Sequence, residues 1–198
     1  MSAETTPADA LDIAVLVATA IEGAGGRYFV GGSLASSVQG EPRATNDIDL
    51  VVDLPLGRCA AFVDALGTDF EADVAGLRQA VADGGSYNIF YLPLVTKIDV
   101  FGLGRAPYDE IEFSRRREIV IRPSGARLWF KSPEDSVLRK LSWFREGGGV
   151  SEKQWRDVVS VLRISRDVLD RAYLETWARR LHLEELLERA MGDARSAP

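Results

Sequence analysis

The segment Asp47-Ile48-Asp49-Leu50-Val51-Val52 alternates acidic and apolar side chains and then becomes wholly apolar. A strand sends successive side chains to opposite faces, so the pattern predicts a strand that buries Ile48 and Leu50 and holds Asp47 and Asp49 together on its other face. Two carboxylates held that close repel each other and destabilise the chain unless a cation lies between them. A hard divalent ion with a preference for oxygen ligands, Mg2+ or Mn2+, removes that conflict. The chain is therefore expected to build a sheet with one core-facing side and one acidic, cation-binding side.

A third acid and a glycine turn extend the expectation. Asp99 lies in Lys97-Ile98-Asp99-Val100-Phe101, a second predicted strand, where a charge among apolar residues needs a partner, either a metal or a salt bridge to a neighbour such as Lys97 or Arg43. If the two strands pair, Asp47, Asp49 and Asp99 gather at one place. Three carboxylates can hold two metals ~4 Å apart, the arrangement used for in-line phosphoryl transfer. Upstream, Tyr28-Phe29-Val30-Gly31-Gly32-Ser33 reads as a strand, a tight turn and a helix start. Glycines let the backbone approach a phosphate, a helix N-terminus favours anions, and Ser33 adds a hydroxyl donor.

The remaining pattern supplies the frame. Pro7–Glu22, Ser33–Val38, Leu56–Leu66 and Val74–Asp83 are expected to be helical, and Tyr87–Leu92 to be a strand beside Lys97–Phe101. Glu118–Arg122 and Ala126–Phe130 flank the hairpin turn Ser124-Gly125. Ser132-Pro133-Glu134-Asp135 combines a capping hydroxyl, a proline suited to the first helical position and acids at the positive helix end. Helices are expected from there onward, broken at Gly147-Gly148-Gly149 and again near Arg166 and His182, with loose ends at residues 1–7 and 193–198. The predicted architecture is an α/β (α+β) core with a mixed β-sheet flanked by helices over residues 1–131, and a C-terminal helical region over 132–198.

The net charge of -6 argues against generic nucleic-acid binding, but residues 1–104 hold 5 Lys/Arg against 14 Asp/Glu while 105–198 hold 19 against 16. The acidic half suits cations and the mildly basic half suits phosphates. Cys59 is the single cysteine and His182 the single histidine, so neither an internal disulfide nor a Cys/His zinc cluster is expected. No apolar run approaches the ~20 residues of a membrane span. The first residues lack the basic-then-apolar order of a signal peptide, and a cytoplasmic location with no membrane partner is the expectation.

Gly32-Ser33, thirteen residues, then Asp47-Ile48-Asp49-Leu50 resembles the signature of the polymerase-beta-like nucleotidyltransferase superfamily. Gly31-Gly32-Ser33-Leu34-Ala35 followed by Arg43-Ala44-Thr45-Asn46-Asp47-Ile48-Asp49-Leu50 is similar to its abortive-infection toxin branch. Ser132-Pro133-Glu134-Asp135, Lys140-Leu141 and Arg156-Asp157 look like that branch's later motifs, although Gly147-Gly148-Gly149 stands where a compact basic helix pair is expected.

The resemblance implies a nucleotidyltransferase core that moves a nucleoside monophosphate from a nucleoside triphosphate to an acceptor. Asp47, Asp49 and Asp99 would be catalytic and metal-binding. Gly31, Gly32, Ser33, Arg43, Thr45, Lys140 and Asp157 would contact the nucleotide. The acceptor would be RNA or a tRNA end, a protein hydroxyl, or a small molecule such as an antibiotic, and a toxin of this kind would have an antitoxin protein as partner. The alternative is a nucleotide-binding or interaction module that keeps the fold without catalysis.

Arg115-Arg116-Arg117 reads as a solvated strand entry before it reads as an anion site. Trp129, Trp143, Trp155 and Trp177 fall on apolar stripes and are expected in the core. No second histidine or nucleophile–base pair is in view, so triad hydrolysis is unsupported.

Overall fold

The computed structural model describes residues 9–121 and 124–196. Arg122 and Pro123, at the end of the first strand of the predicted 118–130 hairpin, lie outside the described residues, as do 1–8 and 197–198. The chain divides into two compact units: Met1–Leu34 with Thr45–Phe130, and Ala35–Ala44 with Lys131–Pro198.

The first unit is a mixed sheet with helices. Its strands are β1 (Arg27–Val30), β2 (Ile48–Asp53), β3 (Phe70–Glu71), β4 (Ser86–Tyr91), β5 (Thr96–Gly102), β6 (Arg117–Val120) and β7 (Arg127–Phe130), in the order β3-β4-β5-β2-β1-β7-β6. Strand β2 runs antiparallel to β1 and parallel to β5, and β4 runs antiparallel to β5. The alternation read from the sequence is realised. Ile48, Leu50, Val52, Ile89, Tyr91, Ile98 and Val100 are buried, whereas Asp49, Val51, Lys97 and Asp99 on the other side are only half-buried. Each fully buried Ile or Leu contributes about 1.5–3 kcal/mol relative to exposure, which fixes the register because a one-residue slip would turn this set outward.

Helices α1 (Ala10–Gly23), α3 (Cys59–Leu66), α4 (Val74–Asp83) and α5 (Pro107–Ser114) belong to this unit, and α2 (Gly32–Gln39) starts in it. Asp9 caps α1 by accepting from the Leu11 and Asp12 amides, which sets the helix start at Ala10, while Pro7 and Ala8 of the expected helix lie outside the described residues. A single 3-10 turn, Leu56–Arg58, precedes α3. Helix α4 rests on β5 at Gly102, where a Cβ would fall 2.5 Å from the Ala80 carbonyl oxygen. Helix α5 and strand β3 were not expected from the pattern. The signal for α5 was present: Pro107 at the first turn with Asp109 and Glu110 behind it, the same kind of start as at Ser132.

The second unit holds α6 (Pro133–Glu146), α7 (Glu152–Ile164), α8 (Arg171–Leu181) and α9 (Glu184–Ser196). Ser132 accepts from the Asp135 amide, as the start signal requires. Helix α6 ends at Gly147, with Gly148 and Gly149 at φ 76° and 74°, the left-handed region that glycine enters without penalty. Gln39, the last residue of α2, donates to the Lys131 carbonyl at 2.6 Å and accepts from the hydroxyl of Ser136 on α6 at 2.6 Å. Glu134 and Asp135 are fully buried, accepting from the Asp170 amide and the Tyr173 hydroxyl respectively.

Two expectations fail here. Residues 193–196 are not a loose end: α9 continues to Ser196. None of the four tryptophans is in the core: Trp129, Trp155 and Trp177 are half-buried, and Trp143 is 42% exposed, on the solvent side of α6 with the Lys131 ammonium over its ring.

Candidate active site

Asp49 and Asp99 are direct register partners on the parallel strands β2 and β5. Ile48 pairs with Ile98 and Leu50 with Val100, so the two acids face the same way by the same alternation that buries their neighbours. Asp47 stands one residue ahead of β2 and is exposed, its amide donating to the Thr45 hydroxyl at 3.3 Å. The end of β1 meets the same place. The Gly31 amide donates to the Asp49 carbonyl at 2.8 Å, and Gly32 then turns the chain into α2 at φ 54°. A Cβ on Gly32 would lie 1.7 Å from Oδ2 of Asp49. Glycine is required there twice, for the backbone conformation and for the space that the carboxylate occupies. Ser33 is buried in the first turn of α2.

The acids already face one cation. Lys97 Nζ lies 2.7 Å from Oδ2 of Asp99, with side-chain exposures of 43% and 16%. The hydrogen bond to Asp99 pushes the Lys97 ammonium above its ordinary range despite some desolvation, and the fields of Asp99, Asp47 and Asp49 add to it. Among the described residues no three His, Cys, Asp or Glu side chains converge as a ready-made metal cage. The donor set does fit a hard divalent ion in chemistry, being carboxylate oxygens on two directly paired positions and a third just upstream.

The other expected contact residues gather in the second unit. Asp157, on α7, is 4% exposed and Lys140, on α6, is 5% exposed. Lys140 Nζ donates to Oδ2 of Asp157 at 2.9 Å. Arg43 grips the same carboxylate in a fork, Nε to Oδ1 at 3.2 Å and Nη2 to Oδ2 at 3.0 Å. Burial pushes the Asp157 carboxyl up, but the Arg43 and Lys140 hydrogen bonds outweigh it and hold the group below its ordinary range. Burial lowers Lys140, and its bond to Asp157 offsets only part of that. Arg43, Lys140 and Asp157 thus form one buried ion cluster. The structure brings Gly31, Gly32, Asp49 and Asp99 together in the first unit, with Asp47 and Thr45 beside them.

The arginine run is partly internal. Arg116 stacks on Phe113 and Trp129 at 4.6 and 5.0 Å and donates to the Phe113 carbonyl. Lys97 was expected only as an alternative salt-bridge partner of Asp99, and that pair is present. Its signal was its spacing, two residues before Asp99 on the same strand and therefore on the same face. His182 is the left-handed cap of α8, at φ 56°, which accounts for it as a helix-end residue.

The mixed seven-stranded sheet among the described residues, with helices around it, is a nucleotidyltransferase-like fold. The chain is similar to the crystal structure of an antigenic nucleotidyltransferase-like protein from Paracoccidioides brasiliensis, with TM-score 0.56, 17% identity, and 91% of each chain covered. It is also similar to the solution structure of the antibiotic-resistance factor ANT(2'')-Ia, with TM-score 0.55, 16% identity, and 91% of this chain and 97% of that one covered. No family model matches the chain, and no curated protein matches it in sequence. Among the described residues no helix is long and apolar enough to cross a membrane.

Proposed function

We propose that this chain is a metal-dependent nucleotidyltransferase that moves a nucleoside monophosphate from a nucleoside triphosphate to an acceptor hydroxyl, releasing pyrophosphate. The observation that carries the reading is the register of Asp49 against Asp99, with the glycine turn closed onto Asp49. The turn and the first amides of α2 hold the triphosphate, since a helix N-terminus offers donors and a favourable field to phosphate. Mg2+ or Mn2+, held by Asp47, Asp49 and Asp99, supplies the positive charge that offsets charge developing on the transferred phosphoryl group.

Asp99 has a second task in this reading. As the acceptor oxygen bonds to the α-phosphorus, the bond from that phosphorus to the bridging oxygen breaks and the hydroxyl proton passes to the Asp99 carboxylate. Thr45 fixes the chain just ahead of Asp47 through its hydrogen bond to the Asp47 amide. Within the second unit, Asp157 holds the Arg43 guanidinium in its fork, with Lys140 on the same carboxylate.

Transfer from an α-labelled triphosphate into a mixture of RNA, protein and amino-sugar acceptors tests the proposal. Label should enter one acceptor with the unaltered chain and none with Asp49→Ala. Transfer that survives Asp49→Ala would sink it.

The likeness to ANT(2'')-Ia and the acidity of residues 1–104 favour one variant of the reading, with a cationic small molecule as acceptor. The motif resemblance favours the other, a toxin with an antitoxin partner and an RNA or protein target. The same screen separates them, because each variant predicts label in a different class of acceptor.

A further inference from the structure

The open face of the sheet that carries Asp49 and Asp99 also carries an exposed aromatic ring. Strand β4 lies beside β5 with Asn88 opposite Asp99 and Phe90 opposite Lys97. Directly opposed side chains share a face, so Asp49, Asp99 and Asn88 form one row across three strands, and Lys97 and Phe90 belong to the next. The intervening residues, Ile89, Tyr91 and Ile98, are buried on the other face. Phe90 is 38% exposed, and its neighbours in the row are charged: Lys97 on β5 and Glu71 on β3. A large ring between an ammonium and a carboxylate on an open face is not a core contact. It stands one diagonal step, ~7–8 Å, from Asp99.

We propose that Phe90 is an acceptor-positioning residue. Its ring is the platform on which a planar unsaturated ring of the acceptor stacks, with the acceptor hydroxyl one diagonal step away at Asp99 and Asn88 beside it as hydrogen-bonding partner. The chemistry that fits is a nucleoside at the end of an RNA strand, whose base stacks while its ribose hydroxyl reacts. Aromatic stacking of a base tolerates any base identity and is strong enough to govern affinity. A saturated amino sugar has no planar ring and gains nothing from Phe90. This inference rests on the transferase reading for the role of Asp99 but not for the binding of the acceptor.

The test uses the full chain and a fluorescein-labelled oligoadenylate with a free ribose end, with kanamycin as the acceptor lacking a planar ring. Binding of the oligoadenylate is read by anisotropy without metal or triphosphate, and transfer kinetics are read separately. Phe90→Ala should weaken oligoadenylate binding and raise its KM about ten-fold, leave kcat within about two-fold, and leave any kanamycin binding unchanged. Phe90→Trp should restore both oligoadenylate values. Equal oligoadenylate affinity for Phe90→Ala and the unaltered chain would overturn the proposal. So would a Phe90→Trp variant of unchanged Tm that binds as poorly as Phe90→Ala, or an equal loss for kanamycin. If binding follows the expected pattern and no acceptor takes label, the platform stands and the transferase reading falls.

Discussion

A side-chain carbon on Gly32 would lie 1.7 Å from Oδ2 of Asp49, so the glycine turn and the acid are fitted to each other. Gly32→Ala must both displace that carboxylate and hold φ 54°, a left-handed conformation that penalises an L-residue by roughly 1–2 kcal/mol. The expected outcome is loss of nucleotide transfer and a lowered Tm. Gly57→Ala, where an added Cβ meets nothing within 4 Å, is the control and should change neither. Full activity in Gly32→Ala would show that the contact is incidental.

Lys97 supplies the positive charge that Asp99 meets in the metal-free chain. Lys97→Met leaves the acids without that ammonium, so the metal-free protein should melt at a lower temperature and Mg2+ should raise its Tm by more than it raises that of the unaltered chain. Thermal melts with and without Mg2+ read both effects. Equal metal-free Tm values with equal Mg2+ shifts would mean that Lys97 does not compensate the acids.

The buried Arg43–Asp157–Lys140 cluster predicts an unequal pair of substitutions. Asp157→Ala leaves two cations without their shared partner and should cost about 3–5 kcal/mol of unfolding free energy. Lys140→Met keeps the Arg43–Asp157 fork and fills the space with an apolar chain, so its cost should be clearly smaller. Denaturant unfolding of the two variants gives the comparison, and a Lys140→Met variant less stable than Asp157→Ala would contradict it.

The same cluster sets an acid limit. The folded Asp157 carboxyl lies below its unfolded value of about 4, so its contribution is fully present above that pH and is lost as pH falls through the interval down to the depressed folded value. Unfolding free energy should therefore fall steeply below about pH 4, and Asp157→Asn should show a shallower fall over the same interval. Parallel pH curves for the two proteins would place the acid sensitivity elsewhere.

The parts of this molecule that were legible in its sequence are those where one local rule decides. The alternation around Asp47–Val52 and Lys97–Phe101 gave two strands and their faces, because burying Ile48, Leu50, Ile98 and Val100 leaves the acids one direction to point. The start at Ser132 was legible because capping, proline and acids agree. What depends on distant partners was hidden. Spacing along the chain does not state that Asp49 opposes Asp99, that Asn88 and Phe90 share their face, or that Asp157 is buried between residues 43 and 140. Trp143 shows the converse: an apolar stripe on α6 carries one residue too many, and the surplus ring sits outside with Lys131 over it.

The proposed function requires Asp47, Asp49 and Asp99 to bind a divalent ion together with a triphosphate. Calorimetric titration of a non-hydrolysable nucleoside triphosphate, with and without Mg2+, into the unaltered chain and into Asp49→Asn tests it most directly. Mg2+ should tighten triphosphate binding to the unaltered chain by about ten-fold or more and have no such effect on Asp49→Asn. Triphosphate binding that is indifferent to Mg2+ in the unaltered chain, or equally Mg2+-dependent in Asp49→Asn, would contradict it.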